Sequence, residues 1–174
     1  MRKVILYIAM TLDGMIADLN DGFSFLEPYD GVNLVKESYD ALLKSVDTIL
    51  MGRRTYEVIT SHNIPWPYHG FKSYVYGSKM IESKDATIIH DDVSRHVLDL
   101  KEQTGKDIWL VGGGKLVQAL LESDLIDQMI ITIIPVILGS GIPLFLHVSR
   151  IHYFDLTDVQ TEAGLSMLTY HKHR

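Results

Sequence analysis

Apolar and polar positions alternate along this chain in blocks of two different periods. Val4 to Met10 is a nearly continuous apolar run, which suits a central strand covered on both faces. Asp13–Gly14 then marks a turn, and Gly22, Pro28 and Gly31 keep the next stretch irregular. From Val32 to Leu43, Leu34, Val35, Tyr39, Leu42 and Leu43 recur at helical spacing. "DTILMG" (47–52) reads as a short buried strand, "RRTYEVIT" as the helix after it, and "HNIPWPYHG" as a loop. "SYVYG" and "ATIIH" are short strands, and "DDVSRHVLDLKEQTG" is a helix with acids at its start and Gly105 at its end. "DIWLVGGG" is strand then turn, and "KLVQALLES" is a helix. "DQMIITIIPVILG" reads as a long strand in which Pro135 signals a bulge or an exposed edge. The tail, "YFDLTDVQT" and "LSMLTYHKH", alternates as an antiparallel pair joined near Ala163–Gly164.

Strands alternating with helices predict an α/β fold of three layers, a mostly parallel central sheet with helices on both faces and antiparallel C-terminal strands. With neither a linker nor an internal repeat, residues 1–174 are expected to form a single domain.

Composition narrows the function. A formal net charge of -6 argues against a nucleic-acid partner, which needs a basic face, but leaves room for a phosphate ligand held by a few local cations. The chain has no cysteine, so disulfides and thiolate chemistry are excluded, in keeping with a cytoplasmic location. The N-terminal apolar stretch has no convincing cleavage site and reads as a strand rather than a signal peptide. The run from Met129 to Leu138 is too short to span a bilayer, so no membrane partner is expected. The histidines form no metal pattern, and no metal site is expected.

Three strand-end loops carry the candidate chemistry. Gly112–Gly113–Gly114 lies between a strand and a helix, where glycine permits positive φ and close backbone approach, and where a helix N-terminus favours an anion; Lys115 adds a cation. The pattern is neither a Rossmann G-x-G-x-x-G, since Val117 stands at the third glycine, nor a Walker A loop, since Trp109 and Leu116 occupy its outer positions. A tight packing turn without a ligand explains these glycines equally well. In "MGRRTYE", Gly52 is followed by Arg53, Arg54 and Thr55, a guanidinium pair and a hydroxyl suited to phosphate. "YGSKM" offers Ser78 and Lys79. Taken together, the three loops suggest a ligand bearing several phosphates.

The element order, "LDGMIAD", "MGRRTYE", the triple glycine and "PVILGSGIPLF" resemble the dihydrofolate reductase-like fold, and more narrowly the reductase domain of the riboflavin-biosynthesis protein RibD and its stand-alone bacterial relatives. The resemblance covers essentially the whole chain. It implies an NADPH-dependent reductase, with Gly112, Gly113, Gly114 and Lys115 at the cofactor pyrophosphate. Arg53, Arg54 and Thr55 would stand near the 2′-phosphate and pyrophosphate, Ser78 and Lys79 beside the adenosine phosphate, and Ala9 and Ile16 along the nicotinamide. It also implies a homodimer acting on a small molecule.

The acid is less clear. Asp13 matches the family's aspartate and is the catalytic candidate, though it also reads as a turn former. The glutamate that the family places before its glycines is Val111 here, and Glu27, Asp30 and Glu37 offer no clear substitute. Trp66, Tyr68 and His69 suit either a pocket for a flat heterocycle or a rigid proline-flanked loop. Two classes therefore stand: a reductase of a small heterocyclic or carbonyl compound, such as the ribosylamino-pyrimidine of riboflavin synthesis, or a nucleotide-binding module without catalysis. A true dihydrofolate reductase would need a carboxylate facing the pteridine.

Overall fold

The computed structural model describes residues 1–61, 65–78 and 83–173. In chain order the elements are β1 (Val4–Thr11), β2 (Met15–Ala17), α1 (Asn33–Ser45), β3 (Val46–Gly52), α2 (Arg53–Ser61), β4 (Lys72–Tyr76) and β5 (Thr87–Ile89). There follow α3 (Val93–Glu102), β6 (Asp107–Gly112), α4 (Gly114–Glu122), β7 (Gln128–Ile134), β8 (Ile142–Pro143), β9 (Phe154–Glu162) and β10 (Leu165–Lys172). A short 3-10 helix, Ser24–Tyr29, precedes α1.

Eight strands form one sheet in the order β5, β4, β3, β6, β1, β7, β10, β9, and β2 pairs with β8 in a separate two-stranded ribbon. From β5 to β7 every pairing is parallel, whereas β10 is antiparallel to both β7 and β9. The mostly parallel sheet with antiparallel C-terminal strands is thus as the sequence pattern anticipates.

The continuous apolar run of β1 follows from its central place. Val4, Leu6, Ile8 and Met10 face the core built with α3 and α4, while Ile5 and Tyr7 face the one built with α1 and Trp66. Asp92 caps α3, its carboxylate accepting from the amides of Ser94 (2.9 Å) and Arg95 (3.2 Å). Ala163 and Gly164 both adopt positive φ (52° and 84°), the geometry of a two-residue hairpin turn. The long strand expected through Pro135 is not formed. β7 stops at Ile134 because Pro135 has no N–H to continue the ladder, and the Val136 amide turns back to the Ile134 carbonyl at 2.7 Å.

The amino ends of the parallel strands are closed by buried charge. Arg2, 6% exposed, donates to the Lys106 carbonyl, the Asp47 carboxylate and the Thr48 hydroxyl. Lys101 donates to Asp127 at 2.6 Å and to the Leu125 carbonyl at 3.3 Å, while Asp127 also accepts from the Val4 amide. These bonds give each buried cation partners within the fold, so its charge serves the structure.

Candidate functional site

At the carboxyl ends the strand order places β4, β3 and β6 side by side, so the loops that follow them meet. A Cβ added to Gly77 would lie 2.9 Å from Cβ of Arg53, and one on Gly52 would sit 3.8 Å from the Gly112 carbonyl. The Gly113 amide donates to Thr55 Oγ1 at 3.3 Å. Gly52, Arg53, Thr55 and the triple glycine therefore share one surface, with Ser78 exposed at its margin. Lys79 lies outside the described residues.

The three glycines answer to different demands. Gly112 takes φ +133°, with Ile8 Cδ1 3.1 Å from its would-be Cβ. At Gly114 a Cβ would come within 2.7 Å of the Pro143 carbonyl oxygen, so glycine is required there by packing of α4 against β8. Gly113 is different: its φ is an ordinary -47°, and its nearest neighbour, Thr55 Oγ1, would stand 3.5 Å from a Cβ. Nothing within the described protein demands glycine at 113. Gly113 is also the N-cap of α4 and gives it no side-chain cap. The first-turn amides of a helix have no intrahelical acceptor, so this terminus presents donors and a partial positive charge, with exposed Lys115 beside them. Of the two readings left open for these glycines, packing thus accounts for Gly114, and the bare backbone at Gly113 suits a ligand.

The arginines are held loosely. Arg53 pairs with Glu57 one turn along α2, and Arg54 reaches Asp21. Both pairs are solvent-exposed, so each contributes only about 0–1 kcal/mol and is readily exchanged for a better anion.

Asp13 is fully engaged. Its carboxylate accepts from Thr11 Oγ1 (2.5 Å) and from the amides of Leu138 (3.2 Å) and Gly139 (2.8 Å). The Thr11 bond first, then those amides, hold its pKa below the ordinary carboxylate range. Thr11 in turn accepts from the Met15 amide at 2.9 Å. This cluster ties the end of β1 to the 136–141 loop, and Thr11 is a buried participant that sequence reading missed, although "TLDG" contains the signal. Ala9 lies near the end of β1, in register with Thr132 of β7. Ile16, on β2, packs against the core beside α4. The β2–β8 ribbon carries Pro143 against Gly114, so Ile16 belongs to the wall that borders the glycine loop.

None of the three acids weighed as a substitute for the missing glutamate takes its place. Val111 packs into the α1-side core, and Glu27, Asp30 and Glu37 are all exposed. Trp66 and Tyr68 are buried (8% and 9% exposed), edge-on to each other at 5.2 Å, and Tyr68 stacks edge-on to Trp109 at 5.4 Å. They belong to the core, which decides for the rigid loop; His69 is exposed. Among the described residues no group of three or more His, Asp or Glu could hold a metal ion, and no helix is long and apolar enough to cross a membrane.

Residues 2–164 match the RibD C-terminal domain family. The chain belongs to that family. It is 38% identical over 146 residues to protein YwjB of Bacillus subtilis, covering 83% of each chain. Among solved structures it is similar to a protein assigned to riboflavin biosynthesis from Shewanella sp. PV-4, at 30% identity with a TM-score of 0.89 over 99% of both chains. Dihydrofolate reductase from Enterococcus faecalis, complexed with NADP(H), shares the fold: the TM-score is 0.68 at 17% identity, covering 99% of this chain and 97% of that one. The fold is the dihydrofolate reductase-like one.

Proposed function

We propose that this protein is an NADPH-dependent reductase of a small heterocyclic or carbonyl compound, of the kind that reduces 5-amino-6-(5-phosphoribosylamino)uracil in riboflavin biosynthesis. The observation that carries this reading is the α4 terminus at Gly113, which has no side-chain cap and whose glycine nothing among the described residues requires, joined to Thr55 and flanked by arginines. These groups fit a dinucleotide: the amides of Gly112–Gly114 with Lys115 receive the pyrophosphate, and Gly52, Arg53, Arg54 and Thr55 receive the 2′-phosphate. Ser78 and Lys79 flank the adenosine phosphate, and Ala9 and Ile16 line the nicotinamide. Bound NADPH supplies a hydride from its nicotinamide ring. The protein's part is to bind and orient, and Asp13 serves this by fixing the loop at 138–139 against β1. With its oxygens accepting three hydrogen bonds in this way, Asp13 is a positioning residue, and the proton that completes the reduction comes from solvent.

The test is a titration with NADPH and NADH followed by tryptophan fluorescence. NADPH should bind tighter than NADH and lose that advantage in Arg53→Ala; absence of binding by either nucleotide would overturn the reading. A non-catalytic nucleotide-binding module is the second reading, favoured by Val111 and by the exposure of Glu27, Asp30 and Glu37. Oxidation of NADPH with any of a panel of pyrimidines and pterins would separate the two.

The enzyme works in the cytoplasm as a homodimer. Support comes from the far end of the sheet. A register shift between Thr169 and Tyr170 sets Leu156 opposite Tyr170 and Val159 opposite Leu168, so both land on one face although they are an odd number of residues apart. Leu156 and Val159 are each 52% exposed, and Phe145, Ile151 and Tyr153 are also exposed nearby. A groove of about 470 Å³ runs beside them, lined by Phe145, Leu146, Val148, Ile151 and Phe154. Val159→Asp should convert the dimer to a monomer in sedimentation; a monomeric wild type would contradict the assignment.

A further inference from the structure

We propose that Asp21 is a built-in competitor for the nucleotide's terminal phosphate, occupying Arg54 until such a phosphate replaces it and so weakening binding of the phosphate-bearing nucleotide alone. The inference rests on the nucleotide reading above and adds a competing residue to it. Arg54 is the cation of the open end that leaves its own helix to find a partner: Nε stands 2.5 Å from Oδ1 and 2.7 Å from Oδ2 of Asp21, so both carboxylate oxygens face one donor.

Asp21 is held out for this contact by a preformed turn. Asp18 Oδ1 accepts from the amides of Asn20 (2.7 Å) and Gly22 (2.8 Å), and the Asp18 amide donates to the Gly22 carbonyl at 2.8 Å. Residue 21 sits at φ 65°, a left-handed conformation for which asparagine or glycine would serve equally well. The turn therefore has no use for the charge of Asp21. Among the described residues that charge meets Arg54 and no other cation.

The pair is weak by construction. The Arg54 side chain is 60% exposed, and an exposed ion pair is worth about 0–1 kcal/mol. A phosphate dianion offers more charge and a bidentate match to guanidinium, so it displaces the carboxylate. A nucleotide without that phosphate has nothing to exchange and leaves the pair in place. Asp21 thus answers the phosphate group specifically, and the freeing of its carboxylate reports the arrival of that phosphate.

Binding of NADPH and NADH to the full chain and to Asp21→Asn tests this, since asparagine keeps the turn. NADPH should bind the variant about two- to five-fold tighter, the worth of an exposed ion pair, with NADH unchanged. In the wild type, NADPH and not NADH should shift the side-chain carboxyl carbon resonance of Asp21. Arg54→Ala should weaken NADPH binding and abolish the effect of Asp21→Asn in the double variant. Equal NADPH affinity in wild type and Asp21→Asn with an unmoved Asp21 carboxyl resonance would overturn the inference while leaving the nucleotide site intact. Equal tightening for both nucleotides would also overturn it. Failure of NADPH to bind any variant would overturn both readings.

Discussion

The two ends of the parallel strands handle charge in opposite ways. At the amino ends Arg2 and Lys101 are buried, and their partners, among them Asp47, Thr48 and Asp127, belong to other elements of the fold. At the carboxyl ends Arg53, Arg54 and Lys115 lie at the surface or only partly covered, and the helix terminus beside them has no side-chain cap. The carboxylates at both ends are partly exposed, so the cations make the difference: a buried cation belongs to the structure, because removing its carboxylate strands it in a poorly solvating place. A cation that is itself in contact with water can change partner at little cost. The first end closes the fold, and the second keeps its donors for a ligand.

The contrast breaks most visibly at the closed end. Asp127→Ala should cost about 3–5 kcal/mol in urea unfolding by leaving the buried Lys101 ammonium without its carboxylate, with NADPH affinity unchanged. If that variant lost nucleotide binding while staying folded, the two ends would not be separable. Next comes a pair of neighbours at the open end. Gly114→Ala drives a Cβ toward the Pro143 carbonyl and should cost about 1–3 kcal/mol of stability. Gly113→Ala meets only ordinary contacts, so its stability should stay within about 0.5 kcal/mol of wild type while NADPH affinity falls roughly tenfold. Calorimetric melting and nucleotide titration on the two variants would read this reversal.

The smallest effect concerns acid. The folded pKa of Asp13 is depressed, chiefly by the Thr11 hydroxyl, so its contribution is present above the unfolded value near 3.8 and is lost as pH falls through the folded one. Asp13→Asn should lower the melting temperature slightly at neutral pH and flatten its decline below pH 3.8. An undiminished acid slope would remove Asp13 from the pinning of the 138–139 loop.

The layers and the three glycine-bearing loops were legible because strand and helix periods repeat over enough residues to be read. The β2–β8 ribbon was not, since three residues and two residues carry no period. The need for glycine at 114 was invisible for a related reason: it arises from Pro143, which tertiary packing alone brings near. Local sequence also offered no way to tell Trp66 as pocket wall from Trp66 as core, and contact with Tyr56 and Tyr68 decides it. Asp21 looked like one acid among many until its turn and Arg54 were placed together. The replacement of the family's glutamate by Val111 was readable from the start, and the structure adds that Val111 faces the core.

Amide resonances followed during NADPH addition to the ¹⁵N-labelled protein test the central claim most directly. The largest shifts should fall at Gly113, Gly114, Lys115 and Thr55, with Lys101 and the amino ends of the strands unmoved. Shifts absent from the glycine loop, or largest at the amino ends, would contradict the placement of the site.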